Sequence, residues 1–233
     1  MTENSKALKR RFVTVEENIS DICKQYHSDR PELLAVSKGQ ESKKIQWAYE
    51  LGYRTFGENY LSELVEKAEQ LSELDIKWAF IGKIQSNKIK KMAKLCDEIL
   101  TLSSIKQAKL LNKYAEEFNK QDFPVWICVN AAQEPQKSGC HPDDLTNISQ
   151  FITSTCPALH LKGILAIPPK EYSDQDFKTP PQLYKDLRSW ANSIGEGKLS
   201  LGMSKDIGIA IAAGSDMVRI GTDLFGPRAN RSL

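Results

Sequence analysis

The sequence predicts an α/β fold, a single (β/α)8 barrel of the TIM type with an extra N-terminal helix. Short apolar segments alternate with segments of helical periodicity eight times along the 233 residues. Strands that alternate with helices form parallel sheets, and eight of them close into a barrel at about this chain length. No Pro/Gly/Ser-rich linker or low-complexity tract interrupts the pattern. We therefore expect one domain over residues 1–233, with the barrel over about 33–228.

The extra helix covers residues from about 6 to 26. Leu8, Phe12, Val15 and Ile19 follow one another at steps of three and four residues, which is the spacing of one helix face. Because this helix precedes the first strand, we expect it to pack on the outside of the barrel.

Each predicted strand is a short, mostly apolar run that ends in polar residues or glycine. The strands cover residues 33–38, 54–57, 78–81, 98–102, 124–130, 160–167, 199–201 and 217–220. The helices between them cover about 45–51, 61–71, 89–95, 105–118, 142–154, 181–193 and 204–213. Gly52 is expected to end the first of these helices.

Composition excludes several classes of protein. The 32 basic and 30 acidic residues give a net charge of +2, which argues against a dedicated nucleic-acid binder. No apolar run approaches the roughly 20 residues of a membrane span, and the polar N-terminus does not resemble a secretory signal. The five cysteines are scattered without a C-x-x-C pair, so we predict no metal site, reduced thiols and a cytoplasmic location.

The last two predicted strands each end in a glycine followed by a hydroxyl residue. Gly202 precedes Ser204, which also stands where it could cap the next helix, and Gly221 precedes Thr222. Loops after strands 7 and 8 are the usual phosphate site of this barrel, because backbone N–H groups converge there. The pattern predicts a phosphate-bearing ligand in the barrel mouth.

Strand alternation places two cations toward the same region. Lys38 shares a face with Val36 at the end of strand 1, and Arg219 points away from the aliphatic face of Val218 and Ile220. An inward lysine and an inward arginine are costly to desolvate unless a ligand uses them. A lysine, a phosphate cradle and a barrel together suggest pyridoxal 5′-phosphate with Lys38 as its Schiff-base amine. A sugar phosphate held by a Schiff-base lysine is the competing hypothesis.

Six groups of short motifs stand in order along the chain. They are LAVSK at 34–38, FGENY at 56–60, FIG with QSNK at 80–88, KSG at 137–139, LGMS with an aspartate at 201–206, and VRIGT at 218–222. Together they resemble the pyridoxal phosphate homeostasis protein family, single-domain relatives of the alanine racemase N-terminal barrel. The resemblance runs from about residue 33 to residue 228 and favours pyridoxal phosphate over a sugar phosphate.

The resemblance implies how the cofactor is held. Lys38 matches the lysine that forms the Schiff base. Ser204, Gly221 and Thr222 match the phosphate ligands, and Met203 lies in the same loop as Ser204. These roles agree with the cradle that the two glycine loops predict.

Further positions of the same motifs follow or depart from the family. Asn59 matches an asparagine near the cofactor ring, and Arg219 matches the arginine that faces the pyridine nitrogen. Ala79 stands where many relatives carry histidine. Lys88 and Lys137 belong to the family's motifs, but their residue types and positions assign them no role.

We predict a carrier or buffer of pyridoxal phosphate without robust catalysis. Racemases with this barrel take a tyrosine for the second face of the cofactor from a further domain, whereas only residues 223–233 follow Thr222 here. An Arg219 guanidinium at the ring nitrogen would also disfavour the pyridinium that stabilises carbanions. The alternatives are an active racemase or decarboxylase of the alanine racemase type and a phosphate-sensing interaction module without cofactor.

The expected partners follow from this hypothesis. Apo-enzymes that depend on pyridoxal phosphate are the expected recipients of the cofactor, and free amino acids are expected to be weak ligands. We expect no nucleic acid or membrane partner, and a monomer.

Overall fold

The computed structural model describes residues 3–131, 134, 138–169, 172 and 179–228. Within them, eight parallel strands form a closed barrel in the order β1 to β8, which confirms the predicted fold. The strands are β1 Glu32–Val36, β2 Thr55–Glu58, β3 Lys77–Phe80, β4 Glu98–Leu102, β5 Phe123–Val129, β6 Leu159–Ala166, β7 Lys198–Ser200 and β8 Met217–Ile220.

Helices follow the strands around the outside of the barrel. Those of the described residues are α1 Glu3–Tyr26, α2 Ser42–Glu50, α3 Leu61–Gln70, α4 Ile89–Leu95, α5 Ile105–Glu117, α6 Leu145–Thr155, α7 Gln182–Asn192, α8 Ile207–Ala212 and α9 Thr222–Phe225. Single 3₁₀ turns, Ser86–Lys88 and Pro142–Asp144, precede α4 and α6.

Local sequence explains where some helices begin and end. The Ser104 hydroxyl accepts a hydrogen bond from the N–H of Gln107 at 3.3 Å and so caps the start of α5. Gly52 follows α2 with φ of +102°, a backbone conformation that favours glycine, as expected for the end of that helix.

The eighth helix begins later than the sequence predicts. Met203 to Asp206 form a turn in which the N–H of Asp206 donates to the Met203 carbonyl at 3.1 Å. The Asp206 carboxylate in turn accepts from the N–H of Met203 at 2.7 Å. The prediction that Ser204 caps this helix was therefore wrong: Asp206 occupies the N-cap position, and Ser204 stays in the loop.

The N-terminal helix packs on the outside of the barrel, as expected. Its buried face includes Phe12, whose ring centroid lies 4.5 Å from that of Tyr53 and 5.4 Å from that of Phe225. Helix α1 thereby contacts α2, α8 and α9, the helices that flank the junction of β8 and β1.

A separate apolar cluster fills the inside of the barrel. Its fully buried members are Leu34, Ala79, Leu100, Trp126, Cys128, Leu165 and Met217. At the amino end of the strands, the indole N–H of Trp126 donates to a carboxylate oxygen of Glu98 at 2.6 Å. Because side chains occupy the interior, space for a ligand lies at the carboxyl ends of the strands.

The described part of the chain contains neither a membrane-spanning helix nor a metal-binding group of side chains. No helix there is both long enough and apolar enough to cross a membrane. No group of three or more His, Cys, Asp and Glu side chains in these residues could hold a metal ion, and the five cysteines are free thiols.

Candidate functional site

A cavity of about 250 Å³ opens at the carboxyl ends of strands β1, β2, β6, β7 and β8. The structure brings all seven sequence-predicted site residues to its wall. They are Lys38, Asn59, Met203, Ser204, Arg219, Gly221 and Thr222.

Lys38 lies just beyond β1, where Val36 contributes the neighbouring stretch of cavity wall. Its side chain is half-buried, and burial lowers the pKa of the amine below its ordinary value. Arg228 and Arg219 lower this pKa further, while the Glu58 carboxylate opposes them. A lower pKa leaves more of the amine unprotonated near neutral pH, which is the form that attacks a carbonyl carbon.

Arg219 is held rigidly at the inner wall of the cavity. It is 6% exposed, and its guanidinium donates to the Ser200 hydroxyl at 2.6 Å and to the Ala166 carbonyl at 2.9 Å. Burial lowers the pKa of Arg219 to about 10, so the group remains a cation at neutral pH. The two anchoring bonds use neutral acceptors from β6 and β7, and the positive charge faces the cavity.

Gly221 lines the cavity close to the backbone of β1. A Cβ atom there would stand 3.1 Å from the Val36 carbonyl oxygen and 3.5 Å from the Val36 Cβ atom. Ser204 is half-buried and Thr222 is exposed on the same side of the cavity. Two hydroxyls and a backbone without a side chain thus surround one small region, as an anion site requires.

Asp206 fixes the loop that carries Met203 and Ser204. One carboxylate oxygen binds the Met203 N–H, and the other accepts from the buried Tyr184 hydroxyl at 3.0 Å. The Met203 N–H therefore has a protein partner. Met203 contributes its side chain to the cavity, and that side chain is 38% exposed.

Asn59 presents a buried acceptor without a partner. Its Oδ1 atom has no hydrogen-bond partner within the described residues. The position of Asn59 depends on Gly82, because a Cβ atom at Gly82 would lie 1.8 Å from the Asn59 carbonyl oxygen. A buried carbonyl oxygen of this kind is satisfied when a ligand supplies a donor.

Sequence reasoning missed Arg228, which also lines the cavity. Its side chain lies against the backbone of Gly39, where a Cβ atom would stand 3.2 Å from Arg228 Cδ and where φ is +68°. Gln40, a second missed residue, ties the same corner together through a 3.1 Å bond from its amide to the Gly226 carbonyl. The signal in the sequence that could have identified Arg228 was its position shortly after the last motif.

The three positions left without a role lie apart from these groups. Lys88 is exposed and lines a neighbouring cavity that shares Asn59 with the first. Ala79 is fully buried in the apolar interior of the barrel. Lys137 lies outside the described residues.

Comparison with known proteins identifies the family. The family model of the alanine racemase N-terminal domain matches residues 13–229. The chain is 36% identical over 231 residues to a protein of Pasteurella multocida strain Pm70, and this alignment covers 95% of this chain and 97% of that protein. It is 33% identical over 235 residues to a Caenorhabditis elegans protein, with 94% and 95% coverage. Both relatives are named pyridoxal phosphate homeostasis protein.

Solved structures agree. PipY of Synechococcus elongatus PCC7942, with PLP bound, matches with a TM-score of 0.76 and 27% identity over 94% of this chain and 100% of that one. Alanine racemase of Bartonella henselae, at 17% identity, shares the fold with a TM-score of 0.70 over 97% of this chain and 61% of that enzyme. The chain thus belongs to the pyridoxal phosphate homeostasis protein family, whose barrel is that of the alanine racemase N-terminal domain.

Proposed function

We propose that this protein binds pyridoxal 5′-phosphate on Lys38 and acts in the homeostasis of that cofactor, as a carrier or buffer without robust catalysis. The observation that carries the proposal is that one cavity unites a lysine amine of lowered pKa, a fixed guanidinium and a glycine-lined cradle. The names of the relatives, and the cofactor bound to PipY, support the same choice.

The residues of the cavity fit this cofactor. Gly221 lines the cavity without a side chain, so a phosphate group can approach its backbone closely. Ser204 and Thr222 offer hydroxyl donors, and Arg228 adds positive charge. The unpartnered Oδ1 atom of Asn59 offers an acceptor, and the apolar side chain of Leu165 lines the space where an aromatic ring would lie.

Each residue has a defined task in binding. Lys38 supplies the nucleophile, and burial together with Arg228 and Arg219 lowers its pKa. Pyridoxal phosphate, when bound, would supply the aldehyde that a lysine amine can attack. Ser204, Gly221 and Thr222 would hold the phosphate end in the cavity that Lys38 also lines.

Arg219 supports the proposal of weak catalysis. Its guanidinium is permanently charged, donor-only and anchored by Ser200 and Ala166. Such a group at the ring nitrogen opposes protonation of that nitrogen, and an unprotonated ring withdraws electrons less well. Apo-enzymes as recipients, amino acids as weak ligands and a monomeric state belong to this proposal.

The binding proposal is tested by loading the protein with pyridoxal phosphate and recording its absorbance spectrum. We expect a visible band that borohydride removes, with the added mass on the Lys38 peptide. Lys38→Ala is expected to lose the band while the apo-protein melts at nearly the wild-type temperature. A label found only on Lys88 or Lys137 would contradict the assignment of Lys38.

The carrier proposal needs a separate measurement. The loaded protein is incubated with L- and D-alanine, serine and lysine in deuterated water, and exchange of the α-proton is followed. We expect slow or absent exchange, together with transfer of cofactor to an added apo-enzyme. Exchange at about one turnover per second or faster would identify a racemase-like enzyme instead.

A further inference from the structure

A buried group of charges lies behind the Lys38 loop, on the outer side of the barrel wall. Glu58, the last residue of β2, is fully buried, and Lys67 of α3 is 3% exposed. The Lys67 ammonium lies 2.6 Å from Glu58 Oε1 and 3.0 Å from Glu63 Oε2. Neighbouring residues of a strand point to opposite faces of the sheet. Gly57 faces Leu34 and Ile81 inside the barrel, so the side chain of Glu58 points outward, toward α3.

The three residues of this group, Glu58, Glu63 and Lys67, hold the two residues that flank Lys38. The Ser37 hydroxyl donates to Glu58 Oε1 at 2.6 Å, and the Ser37 carbonyl accepts from the Lys67 ammonium at 2.8 Å. On the other side, the N–H of Gly39 donates to Glu63 Oε2 at 2.8 Å. The backbone before and after Lys38 is thus tied to the same buried charges.

Stability alone does not account for such a group. A buried ion pair is costly to desolvate, and well-packed apolar residues of similar volume often stabilise a fold equally well. Burial raises the pKa of Glu58 even though Lys67 and Ser37 favour the ionised form. Glu58 also belongs to the FGENY motif, yet its side chain does not reach the cavity that its neighbour Asn59 lines.

We propose that Glu58, Glu63 and Lys67 are positioning residues that fix the direction of the Lys38 amine from behind the barrel wall, and that the two carboxylates also influence its charge. The inference rests on the proposed function for the identity of the ligand only, since the contacts belong to the chain itself. Four charged groups act on the amine: Arg228 and Arg219 lower its pKa, whereas Glu58 and Glu63 raise it.

The first test measures the Lys38 amine in the protein without cofactor. Trace acetylation over a range of pH, read by peptide mass spectrometry, gives the midpoint at which Lys38 becomes reactive. Glu63→Ala and Glu63→Gln both remove a negative charge, so both are expected to shift this midpoint to lower pH. Glu66→Ala is the matched control, because Glu66 lies on the same helix and accepts a bond from Gln70 there.

The second test separates geometry from charge by the rate at which pyridoxal phosphate becomes covalently linked to Lys38. Glu63→Gln retains an oxygen that can accept from the Gly39 N–H and also lowers the pKa of Lys38, so it is expected to load at least as fast as the wild type. Glu63→Ala lacks that acceptor, and we expect loading about tenfold slower. Lys67→Arg is expected to load faster than Lys67→Met, since it restores the cation.

The outcomes divide clearly. If Glu63→Ala melts at a lower temperature but loads as fast as the wild type, the group only stabilises the fold, and the inference fails. If the wild type forms no link at all, the proposed function fails, while the acetylation profiles still decide the inference. Profiles that coincide for the wild type and both Glu63 variants would overturn it, and a shift confined to those variants would support it.

Discussion

Two buried cations on opposite sides of the barrel wall have different partners. Lys67 lies outside the wall, 3% exposed, within 3.0 Å of two carboxylates. Arg219 lies inside it, 6% exposed, and its hydrogen bonds among the described residues go to a hydroxyl and a carbonyl. The protein thus neutralises the charge of Lys67 itself, whereas it only anchors Arg219. A buried charge that the fold orients without neutralising is suited to a ligand.

The largest effect is expected at Lys67, whose charge the protein itself neutralises. Lys67→Met leaves the buried Glu58 carboxylate without its cation, so we expect the free energy of unfolding to fall by about 3–5 kcal/mol. Adding Glu58→Gln to Lys67→Met is expected to restore part of this loss, because the uncompensated charge is removed. Urea denaturation measures both variants. A loss below about 1 kcal/mol for Lys67→Met would show that the pair contributes little.

The second prediction concerns Arg219, which the protein anchors by hydrogen bonds to neutral groups. At a hundredfold excess over its dissociation constant, pyridoxal phosphate should stabilise the wild type by about 2.7 kcal/mol. In Arg219→Met, binding about tenfold weaker would reduce this gain to about 1.4 kcal/mol. Denaturation with and without cofactor measures the difference, and Arg54→Met serves as the control, because Arg54 is exposed and lies away from the cavity. An undiminished gain in Arg219→Met would place Arg219 outside the binding site.

The third prediction concerns the cradle. Ser204→Ala and Thr222→Ala are each expected to weaken binding by about 1–2 kcal/mol, the cost of a lost hydrogen bond to a charged group. Gly221→Val is expected to weaken it more, because the first added carbon already stands 3.1 Å from the Val36 carbonyl. Calorimetric titration gives the three affinities. Unaltered binding by Gly221→Val would refute the position of the cradle.

The smallest expected effect lies at the amino end of the barrel, where Glu98 has a neutral indole as its partner. Burial raises the pKa of Glu98 to about 6 from its ordinary 4.5. The folded state therefore holds this proton more tightly, and the resulting stability is present below pH 4.5 and lost as the pH rises through 6. Relative to Glu98→Gln, the wild type should lose on the order of 1 kcal/mol across this range. Denaturation from pH 4 to 7 measures the difference, and parallel pH profiles would contradict the prediction.

Sequence periodicity predicted the barrel because local spacing and topology agree here. Alternation along β1 placed Val36 and Lys38 on one face, and both line the cavity. The predicted start of α8 was wrong. Ser204 and Asp206 are both good capping residues, and only the turn at Met203 in the folded structure selects the aspartate. The binding roles of the seven site residues remain predictions.

Contacts between distant segments escaped the sequence analysis. Arg228 follows the last strand, where no periodicity indicates a direction, and it lies against Gly39 where it lines the cavity. Lys67 did carry a signal, since it stands three residues after Leu64 on the buried face of α3. A charge on an apolar helix face indicates a buried partner, but nothing local identifies Glu58 as that partner.

The packed interior of the barrel has an optical consequence. Trp126 belongs to the same interior cluster as Leu165, and Leu165 lines the cavity above it. A buried indole within the same barrel as a ligand that absorbs near its emission wavelength is a donor for energy transfer. Tryptophan fluorescence should therefore dim as the cavity fills and recover as it empties, and Trp126→Phe should reduce that response. The barrel thus carries an internal reporter of its own occupancy, with which loading and hand-over can be timed without a label.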